Sequence, residues 1–511
     1  MKDLQVVIGG KTSQLGIRWL QITQKINEIP TARLELTILQ KDNGKDDSRA
    51  LSEASSYVTG ATLVVKSGTN TVFSGELTQK KVRLQGKKWS VRLEAKHALY
   101  HLAFIPHSKI FRQQDDTAIL TTLCQQADVR LNRSNISTQL NTRHEQLVQF
   151  RVSDWQFIRS RLLSTNCWLI PDITGSSVTV APLDGPQKAA LTIKGDSTSN
   201  EVGLTELNLN FDNRFIPDSM SLQGWDITAQ QLSAAQQIRS GNFQPWKSSS
   251  ADIKPITSKW DREYKLAFSS MPETTLTTLS RSWLNYFQLT GVQGTILLEG
   301  TQAVHPGESV TLSDFDASLD GSVIVTGVNQ MIDVENGWQT ELVIGQPGTL
   351  PEPIPVIDSL HIATVADFSA DPQQLERIPI SLPALNLPHE TLFARLAKPW
   401  ASKSSGFCFY PDPGDEVVVG FIENDPRFPI ILGALHNPKN RSPFPPEKSN
   451  ASKGLVMKNE DQSGALLFNS QSHTLSFSID KSILQMNADG KIELSGETEI
   501  EIISNSIKMS N

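Results

Sequence analysis

Cysteine is scarce. Three in 511 residues, Cys124, Cys167 and Cys408, are odd in number and far apart, which excludes a disulfide framework and a CxxC metal site. All three read as buried, reduced thiols. Long hydrophobic runs are missing too: no stretch approaches the roughly 18 apolar residues of a membrane-spanning helix. The opening "MKDLQVVIGGKTSQLG" has one early lysine, then an aspartate and a short apolar run, which is not the layout of a secretory leader. Synthesis and assembly in the cytoplasm are expected. Positive charge is in deficit, 47 Lys and Arg against 54 Asp and Glu, for a net charge of -7. A chain of that sign repels a phosphate backbone, so nucleic acid is a poor partner and proteins are better ones. Catalytic signatures are also absent, with no GxSxG elbow, P-loop or GxGxxG.

What remains as candidate chemistry is thin. His97 and His101, in "KHALYHLAF", have the spacing of two helical metal ligands, but a third ligand and the intervening glutamate of a zinc hydrolase are missing. Packing and polar capping is the expectation for both. His144, His305, His389, His436 and His473 show no ligand spacing, so neither a metal nor another cofactor is expected. Cys408 and His436 could meet across a small barrel as a thiol–imidazole pair, yet the flanking Phe407 and Phe409 point to a core cysteine. The acid pair Asp46-Asp47 reads as polar loop and Asp115-Asp116 as a helix start; carboxylates for glycoside hydrolysis would have to come from separated positions. The chain does not read as an enzyme.

The chain is too long for one core, and about 100–200 residues per domain implies three or four. Residues 1–105 alternate apolar and polar in short runs such as "ARLELTIL" and "ATLVVKSG", which predicts a β domain. Residues 106–184 read as an α/β subdomain, in which the period changes at 115–129. In "DDTAILTTLCQQADV", Ile119, Leu120, Leu123 and Ala127 share a helical face, and Asp115 or Asp116 can cap it. In "SDWQFIRSRLLSTN", Ser153 and Gln156 have capping-box spacing and Trp155, Ile158 and Leu162 form a stripe, with the strand "CWLIP" after it. Residues 185–355 return to strands, among them "LTELNLNF", "ESVTLSD" and "SVIVTGVNQ", with one helix around "LSRSWLNYFQL". The prolines of "QPGTLPEPIPV" stop sheet and helix alike near 355.

Residues 356–438 suit a small closed barrel of the OB kind, and 439–451 form a second proline-rich linker. Such barrels often hold single-stranded nucleic acid, but five Lys/Arg against nine Asp/Glu in residues 361–438 oppose that here. Residues 452–511 read as strands of four to six residues with polar turns, alternating at Ile492, Leu494, Ile500 and Ile502 and, after a slip at Ile503, at Ile507 and Met509. They are too short for a core of their own, so a β-solenoid or an intertwined β-prism, completed by other chains, is expected.

The stretch "GDEVVVGFIENDPRFPIILGALHNP", residues 414–438, resembles the barrel hairpin of the VgrG and phage-baseplate hub-spike family. The matching positions are Glu416, Val417, Val419 and Phe421, then the turn Asn424-Asp425-Pro426 with Pro429, then Ile430, Gly433 and Asn437; Asn424 stands where glycine is customary. "ARLAKPWAS" is similar to the family's arginine- and tryptophan-containing strand, "KIFRQQDDTAILTTLC" and "QFRVSDWQFIRSRLLSTNCWLIP" to its hub helices, and "HPGESVTLS" with "GWQTELVIG" to its second barrel.

The resemblance implies a mainly β fold with small α+β insertions: two hub β-barrels, an OB-like barrel and a trimeric triple-stranded β-helix, or β-prism, as a needle. It implies a homotrimer that nucleates the inner tube of a contractile injection baseplate and pierces a target membrane mechanically, with tube-initiator and baseplate proteins around the hub. A PAAR-type tip protein would sit on Ile507, Lys508, Met509, Ser510 and Asn511, while Asn424, Asp425, Pro426, Pro429 and Gly433 would shape the barrel hairpin. Neither a lysozyme-like domain after Pro438 nor a toxin extension beyond the needle is expected. The compact length favours a released, extracellular particle of the antifeeding-prophage and Photorhabdus virulence cassette kind. A type VI secretion spike or a phage tail hub is the alternative, ahead of a peptidoglycan hydrolase or an OB-fold nucleic-acid-binding protein.

Overall fold

A computed structural model describes residues 4–37, 47–85, 88–132, 138–195, 202–212, 214, 216–239, 243–248, 263–269, 271–346, 356–459 and 461–508. The fold is mostly β. In the N-terminal part, the strands Leu4–Ile8, Gly16–Lys25, Thr31–Thr37, Thr62–Ser67, Asn70–Gln85 and Lys88–Lys96 form antiparallel pairs. Their alternation puts Ala32, Leu34, Leu36, Leu63, Phe73 and Leu77 into one apolar core. A second core, around Ile296, Leu298, Val310, Val325 and Leu342, is wrapped by Leu204–Phe211, Val292–Glu299, Ser309–Ser313, Gly321–Asp333 and Gly337–Ile344.

The two parts share one fourteen-stranded sheet. They meet where Gly16–Lys25 pairs antiparallel with Gly321–Asp333, from Gly327 opposite Lys25 to Asp333 opposite Trp19. Residues 302 to 314 positions apart in the chain are thereby direct neighbours.

Four α-helices lie against this framework: α1 (Asp47–Ser55), α2 (Asp116–Gln125), α3 (Asp154–Ser164) and α4 (Glu273–Leu289). The sequence reading missed α1 and placed Asp47 in a loop, whereas Asp47 opens the helix; Asp46 lies outside the described residues. Leu51 is exposed and Ala54 buried, so the helix lacks the broad apolar stripe that betrays a helical period. Asp115 caps α2, its carboxylate accepting the Ala118 N–H at 2.8 Å. Ser153 and Gln156 form the expected capping box of α3. The residues before α2 and α3 differ from expectation: Pro106–Asp115 and Arg143–Ser153 are strands, paired as a two-stranded antiparallel ribbon. No described helix is long and apolar enough to cross a membrane.

After residues 347–355, which lie outside the described residues with the four prolines of the first linker, the strands His361–Val365, Ile378–Ser381, Leu392–Leu396, Pro429–Leu435 and Glu416–Phe421 close a five-stranded barrel. Ala363, Ile380, Leu392, Ala394, Val417, Val419 and Ile431 fill it. Beyond the second linker, Ser452–Lys458, Ser463–Asn469, Thr474–Ile479, Ser482–Asn487 and Ile492–Ser495 form a five-stranded antiparallel meander. Described residues 496–508 form no strand, although the alternation continues in the sequence through Ile500 and Ile502.

Candidate functional site: barrel turn, hub seat and terminal sheet

The barrel turn is built for rigidity. Phe421 pairs with Pro429, and the proline opens its strand, where its missing N–H is tolerated. Between them Glu423 (φ 54°) and Asn424 (φ 57°) both adopt the left-handed conformation, so Asn424 does occupy a position that favours glycine. Asp425, 4% exposed, accepts hydrogen bonds from the Arg427 backbone N–H at 2.9 Å, Nε at 3.0 Å and Nη2 at 2.7 Å. Backbone bonds from Phe428 to the Asp425 carbonyl (3.0 Å) and from Ile422 to the Phe428 carbonyl (3.1 Å) close the loop around buried Pro426. Gly433 lies opposite Val418, beside a register irregularity of the hairpin.

The turn is tied to its surroundings. The Ile357 N–H donates to the Asn424 carbonyl at 2.9 Å, and Glu423 Oε1 accepts from the Ser269 N–H at 2.7 Å, just past the strand Glu263–Phe268. The barrel as a whole sits on the ribbon. Val148 and Phe150 of the ribbon belong to the barrel core, while neighbouring Leu147 and Phe111 belong to the core around α2 and α3. His361 has the ring of Phe150 at 5.6 Å and that of Phe421 at 5.9 Å. Polar contacts frame this seat: Arg112 Nη2 donates to Glu390 Oε2 (3.0 Å) and to the Thr391 carbonyl (2.5 Å), and Arg151 Nε to the Ala384 carbonyl (3.0 Å). Arg377 bridges Asp371 at 2.6 Å and Glu145 at 3.5 Å.

The ionisable groups packed around α2 and α3 are held in hydrogen-bonded pairs. Arg161 Nε and Nη2 donate to Asp116 at 2.5 and 3.0 Å, and His144 Nε2 lies 2.7 Å from the same carboxylate. Burial pushes the Asp116 carboxyl upward, but Arg161 and His144 outweigh it and hold it below the usual carboxylate range. His97 is buried, its Nδ1 accepting the Leu99 N–H at 3.2 Å, and burial lowers its pKa to about 4. His101 pairs instead with Glu76 at 2.9 Å, so the two histidines have separate partners. Among the described residues, no three His, Cys, Asp or Glu side chains gather as a metal site. Cys124 and Cys167 are buried, but Cys408 is exposed, contrary to the sequence reading. It lies outside the barrel wall between Phe407 and Phe409, themselves partly exposed, so the apolar neighbours do not enclose it. Its sulfur faces the Gly406 carbonyl at 3.8 Å and His436 faces the Asn440 carbonyl at 3.3 Å, so each has its own local partner.

In the terminal sheet, directly paired residues share a face. One row along the sheet reads Leu455, Leu466, Phe477, Leu484, Leu494. On the same face Met457 lines up with Gly464, Ile479 and Ser482, and Lys453 with Phe468, Leu475, Met486 and Ile492. The opposite face is mixed: Ser452, Asn469, Thr474, Ser476, Ser478, Gln485 and Asn487 share it with Val456, Ala465, Leu467 and Ile483. The first face is the more continuously apolar of the two, and Ile479, Ile492 and Leu494 on it are more than half exposed. Of the expected tip residues, Ile507 and Lys508 are exposed, while Met509, Ser510 and Asn511 lie outside the described residues.

Comparison with known proteins places these features. Residues 2–334 match the family described as Alg8 N-terminal domain. Residues 361–436 match the type VI secretion system/phage-baseplate injector OB domain. A segment of 50 residues is 42% identical to the type VI secretion system spike protein VgrG5 of Pseudomonas aeruginosa, covering 10% of this chain and 6% of that protein. Another, of 101 residues, is 30% identical to the actin cross-linking toxin VgrG1 of Vibrio cholerae, covering 18% and 9%. These matches span less than a tenth of those relatives' length. In fold, the chain is similar to a chain of the Francisella PdpA–VgrG complex, with a TM-score of 0.57 at 11% identity over 96% of this chain and 79% of that one. It is also similar to the Escherichia coli c3393 protein, a type VI secretion component, with a TM-score of 0.53 at 14% identity over 84% and 99%.

Proposed function

Because the chain belongs to the Alg8 N-terminal domain family and is a spike of the VgrG and phage-baseplate kind, we propose that it is the trimeric hub-spike of a contractile injection particle. The observation that carries this reading is the terminal sheet: an apolar face this long, held next to an injector-type barrel, is stable in water only when other chains cover it. Two further copies related by a threefold axis would each bring the same face inward and close a prism. The hub would then meet the inner tube and baseplate, and the far end of the prism would carry a PAAR-type tip. Its work is mechanical: sheath contraction drives it through a target membrane, and the load passes through the barrel seat into the hub.

No catalysis is assigned to it. Among its buried ionisable groups, Asp116, Arg161 and Asp425 serve packing and turn geometry. We place its assembly in the cytoplasm and its working site in a released, phage-tail-like particle. A type VI secretion spike is the second reading, favoured by the curated relatives. Imaging of the chain, labelled in producing cells, separates the two: intact sheathed particles outside the cell support the first, and firing from a cell-anchored apparatus the second.

The direct test is the mass of the full chain in solution. A species of three times the 56.4 kDa chain, about 169 kDa, resistant to heat and detergent, is expected. A stable single chain overturns the prism.

A further inference from the structure

Between Leu396 and Glu416 the barrel extends a finger that the sequence reading did not foresee. Within it Ala401–Ser402 and Ser405–Gly406 pair antiparallel around a tight turn, with Ser404 left-handed at φ 55°. Gly406 has φ 144°, and a Cβ there would lie 2.6 Å from the Trp400 carbonyl oxygen, to which the Phe407 N–H donates at 2.9 Å. Lys398 Nζ donates to the Tyr410 hydroxyl at 2.9 Å and lies 4.1 Å from the centre of its ring. The backbone of the finger is thus specified closely. Its aromatic side chains are nevertheless open to solvent, Trp400 at 54%, Phe407 at 44%, Phe409 at 53% and Tyr410 at 40%.

The rings of Phe407 and Phe409 are 6.4 Å apart. Phe409 lines a cleft of about 440 Å³ together with Leu455, Leu466, Phe477 and Leu494 of the apolar sheet face. Finger and sheet therefore make one continuous apolar surface. A hydrophobic surface of this kind on a rigid support marks an interaction site.

We infer that the finger is an interchain clasp: a second copy of this chain covers Trp400, Cys408 and Phe409 with the apolar face of its own terminal sheet. This rests on the three-chain reading above. Continuity selects the occupant, because Phe409 already lies in the cleft of the sheet face, and whatever closes that face in a prism must extend over the finger. Chemistry agrees with it. The covering face presents Leu, Ile, Met and Phe with Lys453 as its one charged residue, and the finger's nearest cation, Lys398, is engaged by Tyr410. Three such fingers around an axis would form an aromatic collar where barrel and needle join.

Cys408 reports directly on the clasp, since it is exposed in the single chain while Cys124 and Cys167 are buried. The full-length protein is treated with a small maleimide, labelled positions are read by mass spectrometry, and particle mass is measured on the same sample. The expected result is a three-chain species whose Cys408 labels at least about tenfold more slowly than in the unfolded chain, with Phe409→Ser restoring fast labelling. Should Phe409→Ser fail to fold, Trp400→Ser carries the same comparison from outside the cleft. A three-chain species with Cys408 labelling at the unfolded rate overturns the clasp and leaves the spike standing. A single-chain species overturns the spike reading and the clasp with it. Protection that arises only after a separate tip protein is added overturns the second copy as occupant.

Discussion

Asp425 is nearly enclosed, and its carboxylate accepts from three N–H donors of Arg427, two positions away. Removing one partner of such a pair leaves an uncompensated charge, so Asp425→Ala is expected to lower the stability of the barrel by roughly 3–5 kcal/mol, read from urea unfolding. His97 makes a pH-dependent contribution of definite sign. Its pKa falls from 6.5 to about 4 because burial disfavours the charged ring. The unfolded chain takes up the proton first, so stability is complete above pH 6.5 and declines as the pH falls toward 4, by roughly 3 kcal/mol in total. His97→Asn should shrink the difference in urea stability between pH 7 and pH 4.5 by most of that amount. At this scale the sequence was readable where one residue type answers one backbone demand, as at Asn424 and the Ser153–Gln156 box. It misled at Cys408, because Phe407 and Phe409 look the same in a sequence whether they fill a core or await a partner.

Strands and helices were legible in proportion to how one-sided their burial is. Thr62–Ser67 buries Leu63 and Val65 in alternation, and α2 buries Ile119, Leu120 and Leu123 on one face. The ribbon strand Arg143–Ser153 hides both faces, with Leu147, Val148, Gln149 and Phe150 all buried, so it shows no alternation and gives no strand signal in the sequence. That double burial makes it the joint between hub and barrel. Phe150→Ala is expected to cost about 3–5 kcal/mol and to speed hydrogen exchange in the barrel strand Ile378–Ser381 more than in the hub strand Thr31–Thr37. The terminal sheet gives a prediction by face. Leu466→Lys places a charge on the apolar side and should abolish the three-chain species in mass photometry, whereas Ser476→Lys on the opposite side should leave it intact.

For the whole molecule, the decisive pairing is that of Gly16–Lys25 with Gly321–Asp333, which joins two distant parts of the chain into one sheet. Composition and alternation marked both parts as β, but a pairing over that separation leaves no local trace in either strand. A fragment of residues 1–105 keeps the bare edge of Gly16–Lys25 and should aggregate where the full chain stays dispersed, a difference that light scattering reads. The same pairing sets a clock during biosynthesis. At roughly 5–20 residues per second, the ribosome needs on the order of 15–60 s after making the first strand to deliver the second. For that interval the nascent hub offers an open edge to every neighbouring copy emerging from the same messenger. Slowing translation between the two strands lengthens the exposure, and the yield of folded hub becomes a matter of timing as much as of stability.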